Sequence, residues 1–227
     1  LLSSFPLTGG SVIDNVVMNE WEIIRKIKDF YDVKIIKNSD DLEYDFDVLM
    51  IVHPHHLDEA YIEKIKKHKK VLLLLDIADE ASLLYSPEGG RFISSNLGEL
   101  ANYWGIDFYD NSVVADFNNS ITVDETINYS KNPSFNQDLL QFKVTNSDFN
   151  PNHRITYKLN NILFSSTSIV MPKTGTNILF YPLIKSSNVS ALMDGSYAKK
   201  RKTPREIIED FKIEHDVNVI AAEILSN

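Results

Sequence analysis

The side chains best suited to ligand binding or catalysis in this sequence are histidines and carboxylates. They directly follow two apolar runs. The runs cover residues 48–52 and 71–75, and each has the length of a buried strand. In open α/β sheets, ligands bind at the carboxyl ends of the strands, so polar side chains placed there are the first candidates for a binding site. Four ligand-binding residues are predicted on this basis: His53, His55, Asp76 and Asp79.

Imidazole and carboxylate are ordinary ligands of Zn²⁺, but the spacing of these residues argues against a metal site. His53 and His55 flank Pro54 in a tight turn. The sequence also lacks a His-x₃-His pair, which would place two imidazoles on one face of a helix. We therefore predict that the four residues bind no metal.

The sequence pattern also lacks the groups that catalysis requires. The chain contains no cysteine, which excludes a thiol nucleophile, a disulfide and a cysteine-ligated metal. No Gly-x-Ser-x-Gly segment is present, so a serine such as Ser94 has no placed base. The pair Gly9-Gly10 completes neither the dinucleotide-binding pattern nor the Walker pattern. We predict a protein that is not an enzyme and that uses no cofactor.

The charge of the chain argues against nucleic acid as a partner. The 227 residues carry a formal net charge of -9, whereas proteins that bind a phosphate backbone need a basic face. One basic cluster lies at residues 199–205, just ahead of an amphipathic helix pattern. We interpret this cluster as a solvated loop, with contact to an anionic lipid or polymer as the alternative.

The elements that must position the candidate residues follow from apolar periodicity. Trp21, Ile24 and Ile27 recur at helical spacing, and a second amphipathic pattern lies between the two apolar runs. With a short strand at residues 33–36, the order is typical of consecutive βαβ crossovers. Continuous apolar runs also indicate strands that are covered on both faces, as in parallel sheets. We predict an α/β fold with a doubly wound, mostly parallel sheet.

The second half of the chain has a less regular pattern. A helix over residues 97–104 and a strand at 106–109 are followed, from residue 116, by segments rich in Asn, Ser and Asp. Pro182 indicates that the strand around it is an edge strand or a broken one, because proline has no N–H to donate to a neighbouring strand. We predict a single α/β domain over residues 1–227. Its parts are a doubly wound core over 1–115, an irregular β-rich insertion or extension over 116–203, and a closing helix and strand over 204–227.

The sequence itself contains no candidate for a membrane anchor. No apolar run approaches the roughly 18 residues of a membrane span, and the first residues lack the basic and apolar regions of a signal peptide. The opening Leu-Leu-Ser-Ser-Phe-Pro reads like the last part of a strand. We therefore expect a domain cut from a longer protein, with its anchors outside this sequence.

Several landmarks occur in an order that resembles a known family. They are Leu-Ser-Ser-Phe-Pro-Leu at residues 2–7, Asp-Val-Leu-Met-Ile-Val-His-Pro at 47–54, Leu-Leu-Leu-Asp at 73–76 and a helix that ends in Trp-Gly at 104–105. This order resembles the auxiliary subunits of gliding-motility-type ABC transporters. The extracytoplasmic region of that family has a flavodoxin-like or class I amidotransferase-like fold.

The resemblance implies a non-catalytic accessory domain that is periplasmic or otherwise extracytoplasmic and is anchored to the cytoplasmic membrane. Its implied partners are the ABC permease and ATPase subunits, together with a glycan or a cell-envelope protein. The aromatic residues between positions 108 and 135 suit stacking on a sugar or docking of a protein, although local packing is the simpler interpretation. The alternative is a degenerate amidotransferase-like enzyme or small-molecule-binding domain, with a pocket around His53 and Asp76.

Overall fold

The structure is a computed structural model. It describes residues 1–10, 12–13, 16–17, 19–55, 57–78, 93–124, 135–200, 202–214 and 216–226. The chain divides into two compact units, Leu1–Tyr103 and Trp104–Asn227. Whether the two units form one domain, as the sequence suggests, stays a prediction.

The described residues form short helices and strands. The α-helices are α1 (Glu22–Lys28), α2 (Glu59–Ile65), α3 (Glu99–Trp104), α4 (Ser196–Lys199) and α5 (Pro204–Asp210). The strands are β1 (Leu2–Ser3), β2 (Val12–Ile13), β3 (Val16–Val17), β4 (Leu49–Val52), β5 (Val71–Leu74), β6 (Ile106–Phe108), β7 (Ser112–Asp116), β8 (Ser120–Asp124), β9 (Phe135–Thr145), β10 (Asn161–Ser165), β11 (Val170–Pro172), β12 (Ile178–Lys185), β13 (Ser190–Asp194) and β14 (Val219–Ser226). Two 3₁₀-helices cover Ser39–Glu43 and Asn146–Asp148.

The first unit is built on a three-stranded parallel sheet in the order β1-β4-β5. Leu2 pairs with Ile51, and Leu49 pairs with Val71. The extended segment at residues 33–36 runs beside β1, because the backbone of Leu1 donates to the carbonyl of Lys34 and accepts from the N–H of Ile36. The two apolar runs of the sequence therefore do form neighbouring strands, as predicted.

Helix α2 shows how the sequence specifies the connection between these strands. The side chain of Asp58 caps its first turn by accepting from the N–H of Tyr61 at 3.0 Å. Ile62 and Ile65, three residues apart, are buried and form its apolar face. Lys64 lies in the last turn, where a cation interacts favourably with the helix dipole.

The second unit is antiparallel throughout its described pairs. Its sheets have the orders β8-β9-β10, β6-β11, β7-β13 and β12-β14. A buried cluster includes Val114, Phe142, Val144 and Leu183, so strands from three of these sheets share one core. The pairing of β12 shifts register next to Pro182, and this strand has only β14 as a partner in its sheet. The prediction of an edge strand or broken strand at Pro182 is confirmed.

The prediction of a doubly wound, mostly parallel sheet is wrong, and the flavodoxin-like or class I amidotransferase-like architecture is overturned with it. Among the described residues, the parallel sheet has three strands, and the other sheets are small and antiparallel. Strand β7 shows the physical reason. Residues 113–116 are all buried, yet β7 pairs antiparallel with β13. Coverage on both faces buries a strand of either direction, so a continuous apolar run does not fix strand direction.

The second unit also buries a carboxylate that joins distant segments. Asp116 is fully buried and accepts from the backbone N–H and side-chain amide of Asn119, at 3.1 and 3.2 Å. It also accepts from the backbone N–H and hydroxyl of Ser187, at 2.7 and 2.6 Å. Four donors satisfy the two oxygens, which offsets the cost of removing the charge from water.

We predict that Asp116→Asn lowers the free energy of unfolding by about 3 kcal/mol, because an amide nitrogen would replace one acceptor and face buried donors. Urea unfolding followed by circular dichroism measures this change. Asp45→Asn, at an exposed carboxylate, is the matched control and should change stability by less than about 0.5 kcal/mol. Equal effects of the two substitutions would contradict the structural role of Asp116.

Candidate functional site

The candidate site lies at the carboxyl ends of β4 and β5 in the first unit. His53 follows β4 directly and is 1% exposed, and its N–H donates to the carbonyl of Leu74 at 2.8 Å. Asp76 follows β5, and His55 lies two residues beyond His53. The structure therefore brings His53, His55 and Asp76 to one end of the parallel sheet. Asp79 lies outside the described residues.

The hydroxyl of Ser95 joins the two strand ends. Its Oγ lies 2.9 Å from Nδ1 of His53 and accepts from the N–H of Asp76 at 2.9 Å. A hydroxyl has one hydrogen and two lone pairs, so Ser95 is able to donate to His53 while it accepts from Asp76. The backbone N–H of Ser95 also donates to the carbonyl of Asp76 at 2.7 Å.

The residues on either side of Ser95 extend this connection. The hydroxyl of Ser94 donates to the carbonyl of Ile77 at 2.9 Å, and the N–H of Asn96 donates to the carbonyl of Pro54 at 2.6 Å. Residues 94–96 thus contact both the segment after β4 and the segment after β5. These bonds place Ser94 in a structural role, bonded to the end of a strand.

An aromatic stack packs against the buried histidine. The rings of Phe5 and His53 stack in nearly parallel planes with their centroids 4.6 Å apart, and Trp21 stacks on Phe5 at 6.1 Å. The ring of His55 approaches His53 edge-on at 5.3 Å. These contacts remove the imidazole of His53 from water and fix its plane.

The backbone of His53 is in the left-handed region, with φ of 47°. This conformation is unfavourable for residues other than glycine, and it persists only where the surroundings hold it in place. Here the Leu74 carbonyl, the Ser95 hydroxyl and the Phe5 ring do so. Such strain at a strand end is a physical feature that functional sites share.

Burial, together with charge repulsion from the neighbouring His55, lowers the pKa of His53 from its ordinary value of 6.5 to about 4. The ring is therefore neutral near pH 7. Because the folded state resists protonation that the unfolded state accepts, the contribution of His53 to stability is complete above about pH 6.5. It is lost as the pH falls from about 6.5 to about 4.

The contact between Ser95 and His53 has the length of a nucleophile and base pair. Both residues are 1% exposed, however, so a substrate atom has no approach to the hydroxyl. The depression beside them, lined by Leu57, Asn96, Leu97 and Gly98, measures about 140 Å³. Sites for drug-sized ligands usually exceed roughly 300 Å³.

Among the residues that the structure describes, no three His, Asp or Glu side chains group in a way that could hold a metal ion. The carboxylate of Asp76 accepts from the N–H of Ala78 at 2.9 Å, which closes the turn after β5. A larger cavity of about 310 Å³ lies elsewhere in the first unit. Its lining residues, Lys34, Ile35, Ile36, Asp41, Tyr44 and Phe46, include none of the predicted ligand-binding residues.

Part of the basic cluster at residues 199–205 forms contacts within the protein. Lys199 donates to the carbonyl of Asp110 at 3.0 Å, Lys202 pairs with Glu206 at 2.7 Å, and Arg205 binds a neighbouring glutamate. Arg201 lies outside the described residues. Within the described residues, carboxylates therefore pair with two cations of the cluster, Lys202 and Arg205.

Comparison with known proteins gives the family. Residues 5–226 match the family model described as an ABC-type uncharacterized transport system, which represents auxiliary components. The chain belongs to this family. The match to the ABC-type transport family includes both compact units and every residue of the candidate site. The chain matches no curated protein, and it matches no solved structure.

Membership of the ABC-type transport family implies association with the components of a transporter. The described part of the chain has no helix that is both long enough and apolar enough to cross a membrane. The gliding-motility subgroup is a finer assignment than the family match gives.

We predict that His53→Asn removes most of the acid sensitivity of the fold, since asparagine tolerates positive φ but does not titrate. Between about pH 7 and pH 4, the wild type should lose about 3 kcal/mol more stability than the variant. Urea unfolding at these two pH values measures both proteins. The carboxylates titrate in both, so they cancel in the difference. Equal losses would show that His53 is not a buried neutral residue.

Proposed function

We propose that the chain is a non-catalytic accessory component of an ABC-type transport system of the gliding-motility type. It lies outside the cytoplasmic membrane and acts by binding a partner protein or a glycan. The observation that carries this proposal is the family match over residues 5–226, because it assigns both units to the auxiliary component. The order of the sequence landmarks supports the gliding-motility part of the proposal.

The geometry of the strand ends supports recognition in preference to catalysis. The groups with nucleophilic or basic chemistry, Ser95 and His53, are buried and contact each other. Asp76 uses its carboxylate to hold its own turn. These side chains stabilise the fold at the carboxyl ends of parallel strands. Enzymes with open α/β sheets expose such positions to a substrate.

The alternative is a small-molecule-binding domain that keeps a pocket around His53, His55 and Asp76. The left-handed backbone of His53 is the observation that favours it. The small volume beside the site favours the accessory role. Neighbouring genes distinguish the two, since an ATPase and a permease with several spans would accompany an accessory component, and metabolic genes would accompany the alternative.

The full-length protein should co-purify with the permease and ATPase subunits encoded beside it. We predict that Asp76→Asn leaves the yield of this complex unchanged, because the amide oxygen still accepts from Ala78 and no ligand depends on the charge. Quantitative immunoblotting of the detergent-purified complex measures the yield. Failure of the wild type to co-purify would overturn the accessory role. Loss of the complex in the variant, with an unchanged melting temperature, would instead favour a ligand site at Asp76.

The extracytoplasmic location is tested by cysteine labelling, because the sequence has no cysteine of its own. Phe30 is 83% exposed, so Phe30→Cys should react with a membrane-impermeant maleimide in intact spheroplasts. The full-length wild type is the control for cysteines elsewhere in the protein. Labelling that appears only after lysis would place the chain on the cytoplasmic side.

A further inference from the structure

Among the described residues, one face of the β4–β5 pair carries two exposed leucines. In the register of this pair, Met50 is opposite Leu72, and Val52 is opposite Leu74. Leu72 and Leu74 are 48% and 40% exposed. On the other face of β4, Leu49 and Ile51 are buried, as the alternation of side chains along a strand requires.

An uncovered face is unusual for a parallel sheet, because such sheets occur almost only with both faces packed against other elements. The sequence led to the same expectation, since the runs that became β4 and β5 are apolar at every position. The exposed leucines therefore belong to a sheet face whose apolar composition is typical of a face that another element covers. A partner that covered them would remove apolar area from water.

Lysines border this face at the beginning of β5. Val48 and Lys70 each precede a paired strand residue by one position, so alternation puts them on the open face, where Val48 is 52% exposed. Lys67, Lys69 and Lys70 are exposed and form no ion pair within the described part of the chain. We define the lysine-edged face by these residues: Val48, Met50, Val52, Lys70, Leu72 and Leu74. Lys67 and Lys69 lie just before it along the chain.

The nearby lysines show that this lack of pairing is local. Lys64 pairs with Asp40 at 2.6 Å, and Lys66 pairs with Glu63 at 2.6 Å. In a chain with a net charge of -9, three neighbouring cations without an acidic partner mark a place where negative charge is accommodated from outside.

We propose that the lysine-edged face binds an amphipathic helix of a partner subunit in the transport complex. The apolar side of that helix packs on Leu72 and Leu74, and acidic residues at one of its ends pair with Lys70 and the exposed lysines just before it. This inference rests on the proposed accessory function and names the chemistry of one partner.

The dimensions of the face fit a helix. A strand of four residues extends about 13 Å, which equals the length of roughly nine helical residues. Two neighbouring strands provide a width close to the diameter of one helix, about 10 Å. A membrane surface is a poorer fit, because Leu72 and Leu74 lie within a regular strand, whereas lipid-inserting side chains protrude. A second copy would bring the same cations to the interface.

Photo-crosslinking of the full-length protein in its own cells tests the proposal. A photoreactive phenylalanine replaces Leu72, and a matched control replaces Leu163, which is 57% exposed in β10 of the second unit. We expect the position 72 probe to crosslink to an amphipathic, acidic helix of another transport subunit, identified by mass spectrometry. Crosslinks to lipid, to a second copy, at both positions alike or at neither position would overturn the proposal.

Charge reversal gives a second and independent readout. Lys69→Glu with Lys70→Glu should lower the crosslink yield at position 72 by about tenfold, because like charges would then face each other. Lys185→Glu with Lys212→Glu changes two exposed lysines of the second unit by the same total charge and should leave the yield unchanged. Equal yields from the two double variants would overturn the role of the lysines.

The wild-type protein separates this inference from the proposed function. If it co-purifies with the permease and ATPase but position 72 gives no crosslink to them, the helix-binding face is wrong and the accessory role stands. If the wild type does not co-purify, the accessory role itself fails.

Discussion

The first unit depends on one buried hydroxyl, that of Ser95, which joins the carboxyl ends of β4 and β5. It contacts the ring of His53 and accepts from the backbone of Asp76, so it fixes the strained residue after one strand and the turn after the next. Burial then keeps the His53 ring neutral. The polar side chains of His53 and Ser95, which an enzyme would expose to its substrate, are thereby buried in the fold.

The sequence predicts the location of many elements but not the direction of the strands. The apolar runs that became β4 and β5 were identified, because each is bounded by polar residues and has the length of a strand. Direction depends on partners that are distant in sequence, which a local apolar run does not encode. Strand β7 is continuously buried and antiparallel, whereas β5 is parallel and half-exposed. The rule that associates buried runs with parallel sheets thus fails in both directions.

The same limit applies to the candidate site. His53 and Asp76 were found from sequence, because strand ends are recognisable and their polar residues are few. Ser95 was missed, since it lies 42 residues from His53 and belongs to no motif. The stacking of Phe5 on His53 was also unpredictable, because it depends on the register of β1 beside β4. The lysine-edged face of the first unit is apolar and cationic, which suits the binding of a partner by an auxiliary transport component.

Amide hydrogen exchange of Ser95→Ala tests the role of the hydroxyl most directly. We expect the Asp76 amide, which donates to Ser95, to exchange at least about tenfold faster in the variant. The Leu49 amide, which donates to Lys70 at the opposite end of the strands, should keep its protection. Unchanged exchange at Asp76, or an equal increase at both amides, would contradict the claim that Ser95 holds the two strand ends together.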